Sequence, residues 1–464
     1  MADRKRVVIL GAGFGGAHVA KELAKLGGRE GPYDITLVAE HNYLVYTPML
    51  TEVVGGQLDP RHIAAPTRKL SPRITFVQGR VTEVDLGAKR VTLSVGECDL
   101  DIPQAARTVE ADELVVALGS TTNYHGIPGL EEHSLTLKDV SDAGQIRNRA
   151  LALLERAAVE PDSATREALL TFVVGGGGFS GVETMAALND LVRDATDYYP
   201  GIERSAIRMV LAHHGDRLLP ELGGGLAEYT RRHLERRQVE VRLHTSITGA
   251  GPDYVELNGS ERIPTRLVVW TGGVKPSPVV ASFDCRHGRH GGIVVDGCCG
   301  VVGREGVWAL GDCAEVPTPR GGSYAPTGQN AVREGKLVAR NIAAKLRGQQ
   351  PRPFTYKPMG ELALIGKRTG VADVFGFRFS GVAAWAFWRA AYLGEMPGLA
   401  KRAQVLMDWL LDLSFGIEIV DLPLHAGAHP ARVDGEGAAA SGGDPVRSAV
   451  SAPSPGTSET GADG

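Results

Sequence analysis

Arg6-Val7-Val8-Ile9-Leu10-Gly11-Ala12-Gly13-Phe14-Gly15-Gly16 joins an apolar run to a glycine-rich turn near the start of the chain. The run predicts a short buried strand. Phe14 to Leu26, with apolar residues at helical spacing, predicts the helix that follows. In that context the glycines make the tight turn, admit a pyrophosphate to the backbone and let helix and strand pack closely, with the phosphates at the positive end of the helix dipole. A second strand, Ile35 to Ala39, ends at Glu40, about where an acid would hydrogen-bond an adenosine ribose. The competing reading is a strand–turn–helix that binds nothing; strand, helix and terminal acid together weigh against it.

Gly176-Gly177-Gly178-Phe179-Ser180-Gly181 repeats the device. It lies between an expected strand, Leu170 to Val174, and an expected helix, Val182 to about Arg193, with Glu183 two residues past the last glycine. The strand that should end in an acid, Ile207 to Ala212, is followed instead by His213-His214. Losing a carboxylate there removes the repulsion that excludes a 2′-phosphate, and Arg217 would favour one. NADH remains the preferred nucleotide, and NADPH stays open. A strand followed by a glycine turn also recurs: Glu113 to Val116 leads into Ala117-Leu118-Gly119-Ser120, and Arg266 to Thr271 into Gly272-Gly273. Gly311-Asp312 follows a further apolar run from Val307. Two fingerprints in this order, closed by Gly-Asp, imply two dinucleotides side by side and electron transfer between them.

The remaining features set bounds. At 464 residues the chain can form two or three domains with a sizeable core. A net charge of −4 gives no sign of a nucleic-acid-binding surface. Met1 to Arg6 leads straight into the first strand with no signal peptide, and no apolar run approaches the roughly twenty residues that span a bilayer, so a cytosolic globular enzyme is expected. The five cysteines, Cys98, Cys285, Cys298, Cys299 and Cys313, include no pair spaced for a dithiol relay, which argues against disulfide or peroxide reduction. No metal site is expected.

The fold class expected is α/β: two Rossmann-like dinucleotide-binding domains, the second inserted in the first, plus a C-terminal amphipathic helical segment. Two helices are expected in that segment. Gly381 to Leu393 carries Trp385, Trp388 and Tyr392, and Leu399 to Phe415 places Leu406, Trp409, Leu410 and Leu413 on one face. Arg378, Arg389, Lys401 and Arg402 flank these stripes and are nearly cancelled by Glu395, Asp408 and Asp412. Periodicity alone favours packing on the protein or across a dimer over a bilayer interface. Residues 425–464, rich in Ala, Gly, Ser and Pro, are expected to form a disordered tail.

From Arg6 to Leu422 the chain resembles the type II NADH dehydrogenases, single-subunit flavin enzymes that reduce quinone without pumping protons. Besides the fingerprints and Gly311-Asp312, the resemblance rests on Asn42-Tyr43 through Pro48-Met49-Leu50 and on Asn123 to Gly129. It implies FAD on residues 1–125 and 296–350, NAD(H) on 126–295, and a membrane-associating segment over 351–424. It further implies FAD pyrophosphate on Gly11, Gly13, Phe14, Gly15 and Gly16, ribose on Glu40, and ribityl chain on Asp312. Thr47, Pro48 and Thr327 to Gln329 would lie beside the ring, with Val81, Ala117, Gly119 and Gly311 completing the site. NADH would sit on Gly176, Gly178, Gly181, His213, Gly272 and Gly273. A helix from near Gln329 to Leu346 would aim its N-terminal amides at the reduced flavin, or would simply pack.

The family's Ala-Gln-x-Ala-x-Gln run near the quinone pocket reads here Gly328-Gln329-Asn330-Ala331-Val332-Arg333. Gln329 matches; Arg333 keeps donors but adds a charge beside the acceptor, which leaves the quinone's identity open. Glu183 is either a proton-handling group near the nicotinamide and flavin or an acid favoured by the helix dipole. The resemblance shifts the C-terminal helices toward the bilayer, giving a peripheral enzyme on the cytoplasmic face of the cell membrane. A homodimer is a further expectation. The rival readings are a soluble NAD(P)H flavoprotein reductase with a protein acceptor and a slowly turning-over FAD/NAD-binding redox sensor.

Overall fold

The computed structural model describes residues 4–28, 31–96, 105–357, 360–416 and 418–421; the expected tail from His425 lies outside the described residues. Along the chain run β1 (Lys5–Leu10), α1 (Phe14–Leu26), β2 (Tyr33–Ala39), α2 (Leu50–Val54), β3 (Ile74–Gln78), β4 (Glu113–Val116) and β5 (Ser120–Thr122). Then come α3 (Val140–Val159), β6 (Thr171–Gly175), α4 (Phe179–Ala195), β7 (Arg208–Ala212), β8 (Val239–Arg242), β9 (Leu267–Trp270) and β10 (Val274–Pro276). The chain continues with β11 (Val307–Ala309), α5 (Gly328–Lys345), β12 (Gly360–Gly366), β13 (Thr369–Val374), β14 (Phe377–Gly381), α6 (Val382–Glu395) and α7 (Leu399–Phe415).

Two parallel sheets organise the molecule. The first has order β11-β4-β1-β2-β3, the second β8-β7-β6-β9. Because β4 and β11 are adjacent in the first sheet, the whole second sheet is an excursion between them. Strands covered on both faces must be apolar throughout, and Val7 to Leu10 are buried to within 1% of exposure. The acid inside β4 is satisfied: Glu113 accepts from the Trp308 indole at 2.7 Å and from Lys345 Nζ at 2.9 Å. In each sheet the fingerprint strand lies between neighbours reached in opposite directions, β1 between β2 and β4, and β6 between β7 and β9. The crevice at the strands' carboxyl ends is thus a topological switch point, the place where open α/β sheets hold ligands. The antiparallel ribbon β5–β10 carries the chain between the two units.

Three expectations need correction. The second fingerprint's helix begins at Phe179 rather than Val182, because Gly178, in extended backbone, already caps it. The C-terminal segment is not purely helical: β12, β13 and β14 form an antiparallel meander before α6. The aromatic stripe of α6 packs on the protein, as its periodicity alone favours, with Trp388 1% exposed and Tyr392 packed against the core. On α7, Trp409 is buried while Leu406, Leu410 and Leu413 are exposed, so the expected single face is split. The physical reason is Glu52 on α2. Its buried carboxylate accepts from Arg389 Nη2 and Trp409 Nε1, each at 2.9 Å, and the Arg389 guanidinium lies between the rings of Trp385 and Trp409 at 4.5 and 4.6 Å. A buried charge draws its donors inward whatever the helical stripe suggests.

Candidate functional site

The first crevice is a cleft of about 430 Å³ lined by Gly11, Gly13, Glu40, Val81, Ala117 and Gly119, among others. Gly11 stands at φ +98°, and a Cβ there would run into the Ala117 carbonyl; Gly176 stands at φ +117° against Thr271. Gly13 and Gly178 are the caps of α1 and α4, and nothing lies within 4 Å of a Cβ built on either. Those open caps are where the two helices present unpaired amides to an anion. Phe14, Gly15 and Gly16 are the first turn of α1, and Gly181 lies in that of α4. Glu40 directly follows β2 and pairs with Arg80 at 3.3 Å.

Asp312 follows Gly311 on a short turn after β11 and accepts from the Ser120 hydroxyl at 2.7 Å; Lys138 Nζ in turn donates to Ser120 Oγ at 3.0 Å. The Gly311 amide donates to Glu334 of α5 at 2.8 Å, and burial pushes that carboxyl up to about 7. Cys313, beside them, is a buried free thiol that burial pushes up to about 11. It is far from the thiolate that a relay would need.

In the second crevice His213 takes the place of the acid, but its ring turns onto the glycine loop. Its Nδ1 accepts from the Gly177 amide at 3.1 Å, which fixes the neutral Nε2–H tautomer. Burial, then the neighbouring His214, hold its pKa below the ordinary range. Arg217 and Asp216 pair at 3.5 Å, both largely exposed. Gly272 and Gly273 follow β9, held by His125 Nε2 at 3.2 Å from the Gly272 carbonyl and by the Asn123 amide on the Gly273 carbonyl at 3.1 Å.

Between the first crevice and α6 lies an aromatic wall. The Phe14 ring meets Tyr46 edge-on at 5.9 Å, Tyr46 meets Tyr392 at 6.2 Å, and Tyr392 meets Trp388 at 4.5 Å. Thr47 and Pro48 form the turn between Tyr46 and α2. Glu183, on α4, is buried and accepts from the Leu364 amide at 2.8 Å. Burial pushes its carboxyl up to about 8, against the lowering effect of that amide. A carboxyl raised that far is suited to hold a proton beside Trp388 and Tyr392.

At the start of α5, Thr327 caps the helix by accepting from the Asn330 amide. Gln329 is half-buried, and its Oε1 accepts from the Tyr356 hydroxyl at 3.1 Å. Arg333 does not stand free: its Nη1 donates to the Gln329 carbonyl at 2.9 Å and its guanidinium lies over the Tyr356 ring at 4.1 Å.

The structure therefore groups the first-fingerprint residues with Glu40, Val81, Ala117 and Gly119, and the second-fingerprint residues with His213. Tyr46, Trp388 and Tyr392 are not legible as site residues, because the last two read as part of a helical stripe and Tyr46 stands in no motif. Ser120, Lys138 and Tyr356 carry no motif; the one available signal was the position of Ser120 directly after Gly119.

The pyridine nucleotide-disulphide oxidoreductase family profile matches residues 5–335, and the NDH2 C-terminal domain profile matches residues 359–416. A probable NADH dehydrogenase of Dictyostelium discoideum is 31% identical over 424 residues, covering 90% of this chain and 91% of the relative. A type II NADH:quinone oxidoreductase of Mycobacterium tuberculosis is 31% identical over 426 residues, covering 88% of this chain and 87% of the relative. The structure of NDH2 from Plasmodium falciparum in complex with NADH superposes with a TM-score of 0.82 at 20% identity, over 90% of this chain and 100% of that one.

Proposed function

On the premise that the chain belongs to the pyridine nucleotide-disulphide oxidoreductases, and among them to the type II NADH dehydrogenases, we propose that it oxidises NADH and reduces a quinone, through a bound FAD and without moving protons across the membrane. The observation that carries this reading is the aromatic wall running from Phe14, at the first fingerprint, to Trp388 beside the Glu183 carboxyl, which burial pushes up to about 8. The relatives' names favour it over a reductase with a protein acceptor or a sensor.

The open caps at Gly13 and Gly178 and the cleft at Glu40 fit two extended dinucleotides. FAD in the first crevice supplies the two-electron step between nicotinamide and quinone. Glu40 would accept from the adenosine ribose and Asp312 from a ribityl hydroxyl, with Ser120 and Lys138 keeping the Asp312 carboxylate in place. Amides at the start of α5, which opens with Gly328 and Gln329, would favour negative charge on a reduced flavin held there. Phe14, Tyr46 and Tyr392 exclude water. Glu183 holds the proton that quinone reduction consumes.

Among the described residues no helix is long and apolar enough to cross a membrane. The surface for lipid is instead α7, where Leu399, Leu406, Met407, Leu410, Leu413 and Phe415 are all exposed. It would hold the enzyme peripherally on the cytoplasmic face, where a lipid-soluble quinone is collected. The outer side of α6, exposing Ala383, Ala386, Phe387 and Ala390 without a charge, is where a second copy would pack.

Steady-state rates with NADH and a soluble quinone analogue, both varied, test the reading together with chromatography of the flavin released on denaturation. Parallel double-reciprocal lines and released FAD are expected. Absence of quinone reduction, or release of FMN, would overturn it.

A further inference from the structure

The departure of this chain from its family's glutamine motif has a structural partner. Arg333, at the place of the second glutamine in the motif this run resembles, has its guanidinium held by the Gln329 carbonyl at 2.9 Å and over the Tyr356 ring at 4.1 Å. Tyr356 is itself fixed: its amide donates to the Tyr324 hydroxyl at 3.3 Å, and Tyr324 packs edge-on to the buried Phe354 at 4.8 Å. The Tyr356 hydroxyl is left to meet the Gln329 side chain at 3.1 Å.

A primary amide can meet a phenol in two ways, with its oxygen accepting or its nitrogen donating. A guanidinium over the phenol ring draws electron density from it, which makes the hydroxyl a better donor and a poorer acceptor. The Tyr356 hydroxyl therefore donates to Gln329 Oε1, and the amide nitrogen is the end of Gln329 left to meet an acceptor; its neighbour Gly328 lies against the Phe14 ring, where the aromatic wall begins. Were the amide reversed, a carbonyl oxygen would face an incoming quinone oxygen and repel it.

We propose that Tyr356 is a positioning residue for the electron acceptor: with Arg333 stacked on its ring, it locks Gln329 so that the amide N–H is presented to the quinone carbonyl. This rests on the quinone reading above. The segment 351–357, expected to belong with the membrane helices, thereby serves the acceptor site, and Arg333 acts through Tyr356 rather than as a loose charge.

Two measurements on the flavin-loaded protein test it, using decylubiquinone as probe. Calorimetric binding to the oxidised protein, with no NADH present, should weaken at least fivefold in Tyr356→Phe, which keeps the ring and loses the hydroxyl. In anaerobic stopped flow, bleaching by NADH should stay within twofold of wild type, while re-oxidation by low decylubiquinone slows at least fivefold. Gln329→Leu should weaken quinone binding similarly, and the double variant no further, since the two residues act as one unit. Arg333→Gln keeps the hydroxyl and removes the cation, so a two- to fivefold loss is expected; it also serves if Tyr356→Phe fails to hold flavin. Equal loss in both half-reactions, no loss in quinone binding, or multiplying effects in the double variant would overturn the proposal. If wild-type reduced protein is not re-oxidised by quinone at all, the functional reading fails first and takes this one with it.

Discussion

Glu183 shows how burial alone sets a chemical role. Burial pushes its carboxyl up to about 8, with the Leu364 amide the main group opposing the rise and the Glu52 charge adding to it. The proton-bearing form is therefore full below about pH 7 and is lost as pH rises through 8. Re-oxidation of the reduced enzyme by quinone should fall about tenfold between pH 7 and 9, and Glu183→Gln should be slower at pH 7 with that slope removed. A variant retaining the wild-type profile would take Glu183 out of proton handling.

His213 is the second residue whose environment matters more than its identity. Turned onto the Gly177 amide, it leaves no carboxylate at the end of β7 to repel a 2′-phosphate. The ratio of kcat/KM for NADH over NADPH should be less than about 100 in the wild type, and His213→Glu should raise it at least tenfold. An unchanged ratio would mean that discrimination lies elsewhere. The sequence made the loss of the acid plain. It did not show that the imidazole caps the loop, because the pairing of Gly177 with His213 is a tertiary contact.

At the scale of elements, legibility followed local signals. The helices over Phe14–Leu26 and Leu399–Phe415 begin and end where periodicity and flanking glycines place them, and α5 starts one residue from its expected position. The meander β12–β14 was missed because its strands are short and half-buried, and pair with one another rather than with a central sheet. The orientation of α6 was hidden by Glu52, more than 300 residues away, which pulls Arg389 and Trp409 inward. Contacts from Asp408 to His62 Nδ1 at 2.6 Å and from Lys401 Nζ to the Arg61 carbonyl at 2.6 Å add to the seat of α7. Glu52→Leu strands a buried guanidinium and should cost about 3–5 kcal/mol. Glu52→Leu with Arg389→Met should recover most of it. Urea unfolding followed by tryptophan fluorescence is suited to this, since Trp385, Trp388 and Trp409 all lie in this layer. A double variant no better than the single would show that the pair itself is required.

At the scale of the whole molecule, two fingerprint crevices and an aromatic wall sit on one framework, with an apolar helix face left outside. Burying a leucine is worth about 2 kcal/mol. Leu406→Glu with Leu410→Glu should therefore weaken co-sedimentation with phosphatidylglycerol-containing vesicles at least a hundredfold, while NADH still bleaches the flavin at the wild-type rate. Undiminished vesicle binding would move the membrane surface away from α7.

The central claim, electrons from NADH passing through a flavin to quinone, is tested most directly by sequential anaerobic mixing with flavin absorbance as the signal. NADH should bleach the flavin within a second, and a soluble quinone added next should restore the absorbance at a rate that rises with quinone concentration. Bleaching without restoration would contradict the account, because the aromatic wall and Glu183 would then serve some other acceptor.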